Sequence, residues 1–187
     1  MPGDVELGLR QWRAEDGPAF ARLNADPEVM RHFPACLDRA ASDALLERCR
    51  QGIAERGWGF WALERRTDGV LLGLLGISPV APDLPCTSAV EIGWRLDRPY
   101  WGKGYASRGA QLALAHAFHT LGLDEVVAFT AAANQPSLAV MHRLAMADVG
   151  HFEHPHLPPG HPLRLHRLFR LFRLSQAQWT AARTAAE

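Results

Sequence analysis

The chain carries no excess charge of either sign: 20 Lys and Arg stand against 20 Asp and Glu. A neutral chain has no global field to hold nucleic acid or an anionic membrane, so a dedicated binder of either is not expected. Cysteine is scarce, with Cys36, Cys49 and Cys86 spread widely. An odd, dispersed set suggests neither a disulfide framework nor a zinc ribbon; thiols in a reducing compartment are the expectation. No apolar run is long enough to span a bilayer. Met1 to Arg13 holds acidic residues and no apolar h-region, so the reading is no signal peptide and a cytoplasmic location. Internal repeats and low-complexity segments are also missing.

What is present is a chain of 187 residues that is 48% hydrophobic, enough for one domain over 1–187 with a real core. Leu7–Trp12 alternates and predicts a first strand. Asp16-Gly17-Pro18 predicts a helix start with Asp16 as its cap, and the stretch from Glu28 to Asp38 an irregular connection. Ala41, Leu45, Cys49 and Ile53 mark an amphipathic helix over Arg39–Arg56, closed by Gly57. Strand patterns follow at Trp58–Glu64, Val70–Val80 and Ala89–Leu96. In the last, Val90, Ile92, Trp94 and Leu96 share one face; Ala89, Glu91, Gly93 and Arg95 share the other. A helix from Tyr105 to about Leu121, a strand at Val126–Thr130 and a helix from Pro136 to Leu144 come next. His166–Leu174 fits a helix through its arginines at every third position and a strand through its alternation, and periodicity does not decide. The element order implies a mixed sheet carrying helices.

The chemistry concentrates in Glu91–Ser107, EIGWRLDRPYWGKGYAS. A strand enters a loop with Gly102 and Gly104, and the loop enters a helix. Unpaired N–H groups at such a helix start, with the positive end of its dipole behind them, suit a phosphate. The spacing is neither the dinucleotide fingerprint nor a P-loop, so anion site and plain structural turn both stay open on these residues.

Glu91-Ile92-Gly93-Trp94-Arg95-Leu96 with Tyr100-Trp101-Gly102-Lys103-Gly104-Tyr105-Ala106 resembles the acetyl-CoA motif of GNAT acetyltransferases. Asn134, Ser137, Val140, Met141, Arg143, Leu144 and Met146 resemble the second motif of the branch containing the ribosomal-protein N-terminal acetyltransferases. The resemblance implies an α/β (α+β) fold: a mixed, mostly antiparallel sheet of seven strands, splayed between the fourth and fifth, with four helices. It implies acetyl-CoA as acyl donor and an amine acceptor, either a small molecule or a protein N-terminus. It also implies a homodimer paired through C-terminal strands. The backbone of Trp94, Arg95 and Leu96 would pair with the pantetheine arm. Trp101, Gly102, Lys103, Gly104, Tyr105, Ala106 and Ser107 would hold the pyrophosphate. Asn134 and Ser137 would lie near the pantetheine and thioester. Three positions depart from the family pattern: Pro99 replaces a Gln or Arg, Met141 a proton-donating Tyr, and Ala145 the usual Gly.

Glu91 is the candidate general base, against a solvent-facing carboxylate or one paired with Arg95. Ser137 is the candidate proton donor or thiol-positioning group, against a hydroxyl that caps its helix. His151, His154, His156, His161 and His166 crowd one segment without a metal-site spacing, so no metal is expected; the segment either lines the acceptor site or is a surface loop. Arg164, Arg167, Arg170 and Arg173 read as a solvated face. The competing function is a non-catalytic acetyl-CoA-binding module.

Overall fold

The computed structural model describes residues 6–86 and 89–172. Seven strands form a mixed sheet in the order β1-β2-β3-β4-β5-β7-β6. They are β1 Leu7–Arg10, β2 Phe60–Arg65, β3 Val70–Pro79, β4 Val90–Leu96, β5 Glu125–Ala131, β6 Ala147–Glu153 and β7 Leu165–Phe172. Four helices accompany them: α1 Gly17–Ala25, α2 Arg39–Arg56, α3 Tyr105–Ala115 and α4 Gln135–Arg143. The expected sheet, with its parallel β4–β5 step, is the observed one. Contacts divide the chain into two units, Met1–Ser78 with Gly93–Ala113 and Pro79–Ile92 with Leu114–Glu187.

In the first unit β1, β2 and β3 form an antiparallel meander. Asp16 does not cap α1: its side chain makes no cap bond. It lies buried instead, accepting two bonds from the Arg10 guanidinium at 2.7 and 2.8 Å and one from the Arg13 N–H at 2.8 Å. A carboxylate beside a buried cation gains more there than at a cap facing water. The bounds of α2 are as expected: Asp38 accepts from the Ala41 N–H at 2.8 Å, and Gly57 ends the helix at φ 81°. Its buried stripe is Ser42, Leu46, Cys49 and Ile53, while Ala41 is exposed. A strict repeat of four outruns the 3.6-residue turn, so the inward face shifts along the sequence.

In the second unit the undecided tail is a strand through Phe172, and Arg173 and Leu174 lie outside the described residues. β7 is an interior strand, antiparallel to β5 on one side and to β6 on the other. Phe169 is fully buried and meets the His142 ring edge-on at 5.3 Å. Leu168, of opposite parity, packs on the cluster of Val80, Leu84, Cys86 and Val127. Apolar groups on both faces explain why the alternation did not read as a strand.

The arginines are not a free solvated face. Arg170 pairs with Glu125 at 3.0 Å, Arg164 with Glu153 at 2.9 Å, and Arg167 with Asp148. α3 stops at Ala115, and His116–Thr120 widens into a π-helical turn where a single helix was expected. No helix among the described residues is long and apolar enough to cross a membrane.

Candidate active site

In the first unit, the polar edge of β4 comes first. The Asp97 N–H donates to the Leu72 carbonyl on β3 at 2.9 Å. The Arg95 carbonyl also faces β3, where a side chain at Gly73 would collide with it. Backbone groups alternate along a strand, so the peptides of Trp94 and Leu96 turn to the other edge of β4. There the Leu96 carbonyl accepts from the Trp101 indole N–H at 2.8 Å. Trp101 itself stays 41% exposed.

That bond anchors the loop leading to α3. The Asp97 side chain accepts from the Arg98 N–H at 2.8 Å and starts a one-turn 3-10 helix over Arg98–Tyr100. Gly102 and Gly104 follow at φ 71° and 75°, with nothing within 4 Å of where a Cβ would stand. Both the left-handed backbone and the vacant space favour glycine, and the space admits a ligand to the chain. The Arg108 N–H donates to the Gly104 carbonyl at 3.0 Å, opening α3. The N–H groups of Tyr105, Ala106 and Ser107 precede that bond and have no intrahelical acceptor. The Ser107 hydroxyl is buried beside them, without a partner among the described residues. Lys103 is exposed. Pro99, Arg98, Arg22, Asp26 and Asp97 line a cleft of about 470 Å³ at the start of the loop.

A polar network not foreseen from the sequence lies in the same unit. The Arg95 Nη1 donates to Asn24 Oδ1 at 2.6 Å, and the Asn24 amide donates to the Ser42 hydroxyl at 2.9 Å. The guanidinium also lies 3.9 Å from the centre of the Phe33 ring. Asn24 and Ser42 are fully buried. Polar residues at inward positions of α1 and α2 were the available signal.

In the second unit, Glu91 pairs with Val127 in the parallel β4–β5 step. It is half-buried, and burial pushes its carboxyl up to about 7. No cation pairs with it among the described residues, and Arg95 is held by Asn24 and Phe33 instead. A carboxyl poised near neutrality is suited to take and give a proton.

Asn134 caps α4, accepting from the Ser137 N–H at 3.3 Å, while its amide donates to the Thr130 hydroxyl at 2.8 Å. Ser137 is half-buried, and its hydroxyl caps nothing among the described residues. Met141 is buried at 2% exposure. Ala145 has φ 56° in a complete helix-ending motif: its N–H donates to the His142 carbonyl at 3.0 Å, and the Met146 N–H to the Met141 carbonyl at 3.1 Å. That left-handed position is where glycine is favoured.

Three of the histidines, His154, His156 and His166, form an aromatic cluster with Phe152. The His166 ring centre lies 4.8 Å from that of His154 and 5.6 Å from that of Phe152. His156 pairs with Asp83. Burial lowers the pKa of both His154 and His166. Among the described residues no three His, Cys, Asp or Glu are grouped to hold a metal.

The family model of the acetyltransferase (GNAT) domain matches residues 6–147. The chain belongs to the GNAT acetyltransferase family. It is 32% identical over 150 residues to the FsC-acetyl coenzyme A-N(2)-transacetylase of Aspergillus fumigatus, a match covering 74% of this chain and 62% of that protein. The GNAT acetyltransferase of Bacillus anthracis superposes with a TM-score of 0.77 at 21% identity, over 91% of this chain and 98% of the other. Spermidine N-acetyltransferase of Vibrio cholerae, solved with CoA and spermine, superposes with a TM-score of 0.72 at 18% identity, over 90% and 96%. At these identities the two solved structures establish the fold alone.

Proposed function

We propose that the protein transfers the acetyl group of acetyl-CoA to a primary amine by direct attack on the thioester, as one catalytic domain over 1–187. The observation that carries the reading is the Gly102–Ser107 turn, whose unpaired N–H groups and buried Ser107 hydroxyl open α3. These groups suit a pyrophosphate, and the name of the fungal relative supports the same donor. Trp101, Lys103, Tyr105 and Ala106 belong to the same turn. The edge peptides of Trp94 and Leu96 suit a pantetheine arm lying along β4 as an added strand. The Arg95 backbone, turned to β3, holds that edge straight.

In this reading Glu91 removes a proton from the ammonium form of the acceptor, through water, and leaves a neutral amine. The amine nitrogen bonds to the acetyl carbon, the carbon–sulfur bond breaks, and the nitrogen gives up a second proton, which reaches the leaving sulfur. The Ser137 hydroxyl orients the leaving sulfur or passes it a proton, since Met141 has none to give. The products are an acetamide and CoA thiol, and no metal takes part. Asn134 holds Ser137 through the α4 cap. The acceptor is a small-molecule amine or a protein N-terminus; resemblance to the ribosomal-protein branch supports the latter. A homodimer and a cytoplasmic location complete the reading.

Thermal unfolding titrated with acetyl-CoA tests it, because a ligand that binds only the folded state raises Tm with concentration. The expectation is a rising Tm for the wild type and a flat one for Ala106→Asp. An acidic group in the first turn is tolerated by the helix dipole and repels a pyrophosphate. A flat wild-type response up to millimolar acetyl-CoA would remove the donor and the reading with it. Binding without release of CoA thiol on any amine would favour the non-catalytic module.

A further inference from the structure

Among the described residues Arg95 is a cation without an anion. Its Nη1 meets a neutral amide oxygen, Asn24 Oδ1 at 2.6 Å, and its plane lies over the Phe33 ring at 3.9 Å. Its Nε is buried and donates to nothing among the described residues. Among the described residues the buried Cys49 thiol is the titratable group whose charge bears on it, and burial pushes that thiol up to about 11, so it is neutral near pH 7. No carboxylate forms an ion pair with Arg95 among the described residues.

A guanidinium taken out of water without a counter-charge is costly, and a ligand anion would complete the pair. Five fixed donors in one plane match a carboxylate in particular. Arg95 is half-buried as a residue. Phe33 lies in the connection between α1 and α2, and its neighbour His32 has a buried Nδ1 that also lacks a partner among the described residues. That connection therefore brings a second unmet polar atom beside the residue that stacks on Arg95.

We propose that the Arg95 guanidinium, held by Asn24 and Phe33, binds a carboxylate of the acceptor, so that the preferred acceptors are amines that also carry a carboxylate. The proposal rests on the acetyl-transfer reading and narrows its acceptor. It separates this chain from enzymes of purely cationic amines, whose sites need carboxylates of their own. Asn24 is the positioning residue: its amide nitrogen is committed to Ser42, which turns its oxygen to Arg95.

The test compares matched acceptors with and without the carboxylate: phenylalanine with phenethylamine, lysine with cadaverine, and 6-aminohexanoate with hexylamine. CoA release gives kcat/KM for each. The expected result is a preference of at least tenfold for the carboxylate partner in one or more pairs, collapsing toward one in Arg95→Gln and partly kept in Arg95→Lys.

Asn24→Asp tests the same point without emptying the buried site. It supplies the missing charge from within, can accept from the Ser42 hydroxyl where the Asn24 amide donates to it, and is expected to lower the preference as Arg95→Gln does. A wild-type preference of one or below in every pair, or spermidine as the best acceptor, overturns the proposal. So does a preference that survives both Arg95→Gln and Asn24→Asp. No turnover of any amine, with no acetyl-CoA shift in Tm, overturns the acetyl-transfer reading and this proposal together. Turnover without preference overturns this proposal alone.

Discussion

The indole N–H of Trp101 donates to the carbonyl of Leu96 at 2.8 Å, tying the loop before α3 to the free edge of β4. Two parts proposed to hold one ligand are thereby joined by a single side chain.

Trp101→Phe keeps the ring and removes the donor. A lost hydrogen bond of this kind costs about 1 kcal/mol. The expected outcome is a fall in Tm of about 2–4 °C for a chain of this size, with a KM for acetyl-CoA raised several-fold and kcat little changed. Steady-state kinetics beside a melting curve would check it; a lower kcat at constant KM would contradict the tie.

The Glu91 carboxyl, pushed up to about 7 by burial, sets an acidic limb. In the proposed reaction kcat/KM rises tenfold per pH unit below about 7 and flattens above. Glu91→Gln is expected to abolish that limb and to lower kcat by roughly 10²–10⁴. For stability the sign is reversed. The native carboxyl holds its proton above the ordinary value of 4.5, so stability falls as pH rises from 4.5 to about 7. Glu91→Gln should flatten that fall in a pH series of denaturant melts.

His154 and His166 act in the opposite direction. Burial lowers both, so the native state resists their protonation while the unfolded chain accepts it. Stability therefore drops as pH falls below the ordinary value of 6.5. His166→Phe keeps the ring beside Phe152 and His154 and should weaken the acid loss. An unchanged acid slope would show that the cluster is not its source.

Ala145 sits at φ 56° where a side chain is strained. Ala145→Gly should stabilise the protein by about 1 kcal/mol, net of glycine's extra freedom in the unfolded chain. Chemical denaturation measures it directly, and a lower midpoint would mean that the Ala145 methyl makes a compensating contact.

Much of the fold was legible because local signals were unambiguous. Gly57 bounds α2 through a cap that acts within a turn. The Gly102–Ser107 turn was readable because two glycines precede a helix. The tail was not, since β7 is apolar on both faces and its strand period is masked. Asp16 misled because its spacing to Pro18 fits a cap while its partner, Arg10, belongs to β1. The Arg95 network stayed hidden for a related reason: Asn24 and Ser42 are polar residues at buried positions, and composition gives no hint that a guanidinium on β4 requires them. Glu91 was found by its place on β4, but its upward shift needed the burial that only the packed strands provide.

The ion pairs of β7 have a consequence for assembly of the hairpin. Glu125 stands opposite Phe172 and Asp148 opposite Phe169, so Arg170 and Arg167 each reach the acid diagonal to them, one on each face. Hydrophobicity alone is nearly blind to which face is which in this strand. A slip of one residue exchanges the faces and separates both pairs at once. The two arginines thus serve as a parity check, correcting a threading error that oil-like packing would tolerate.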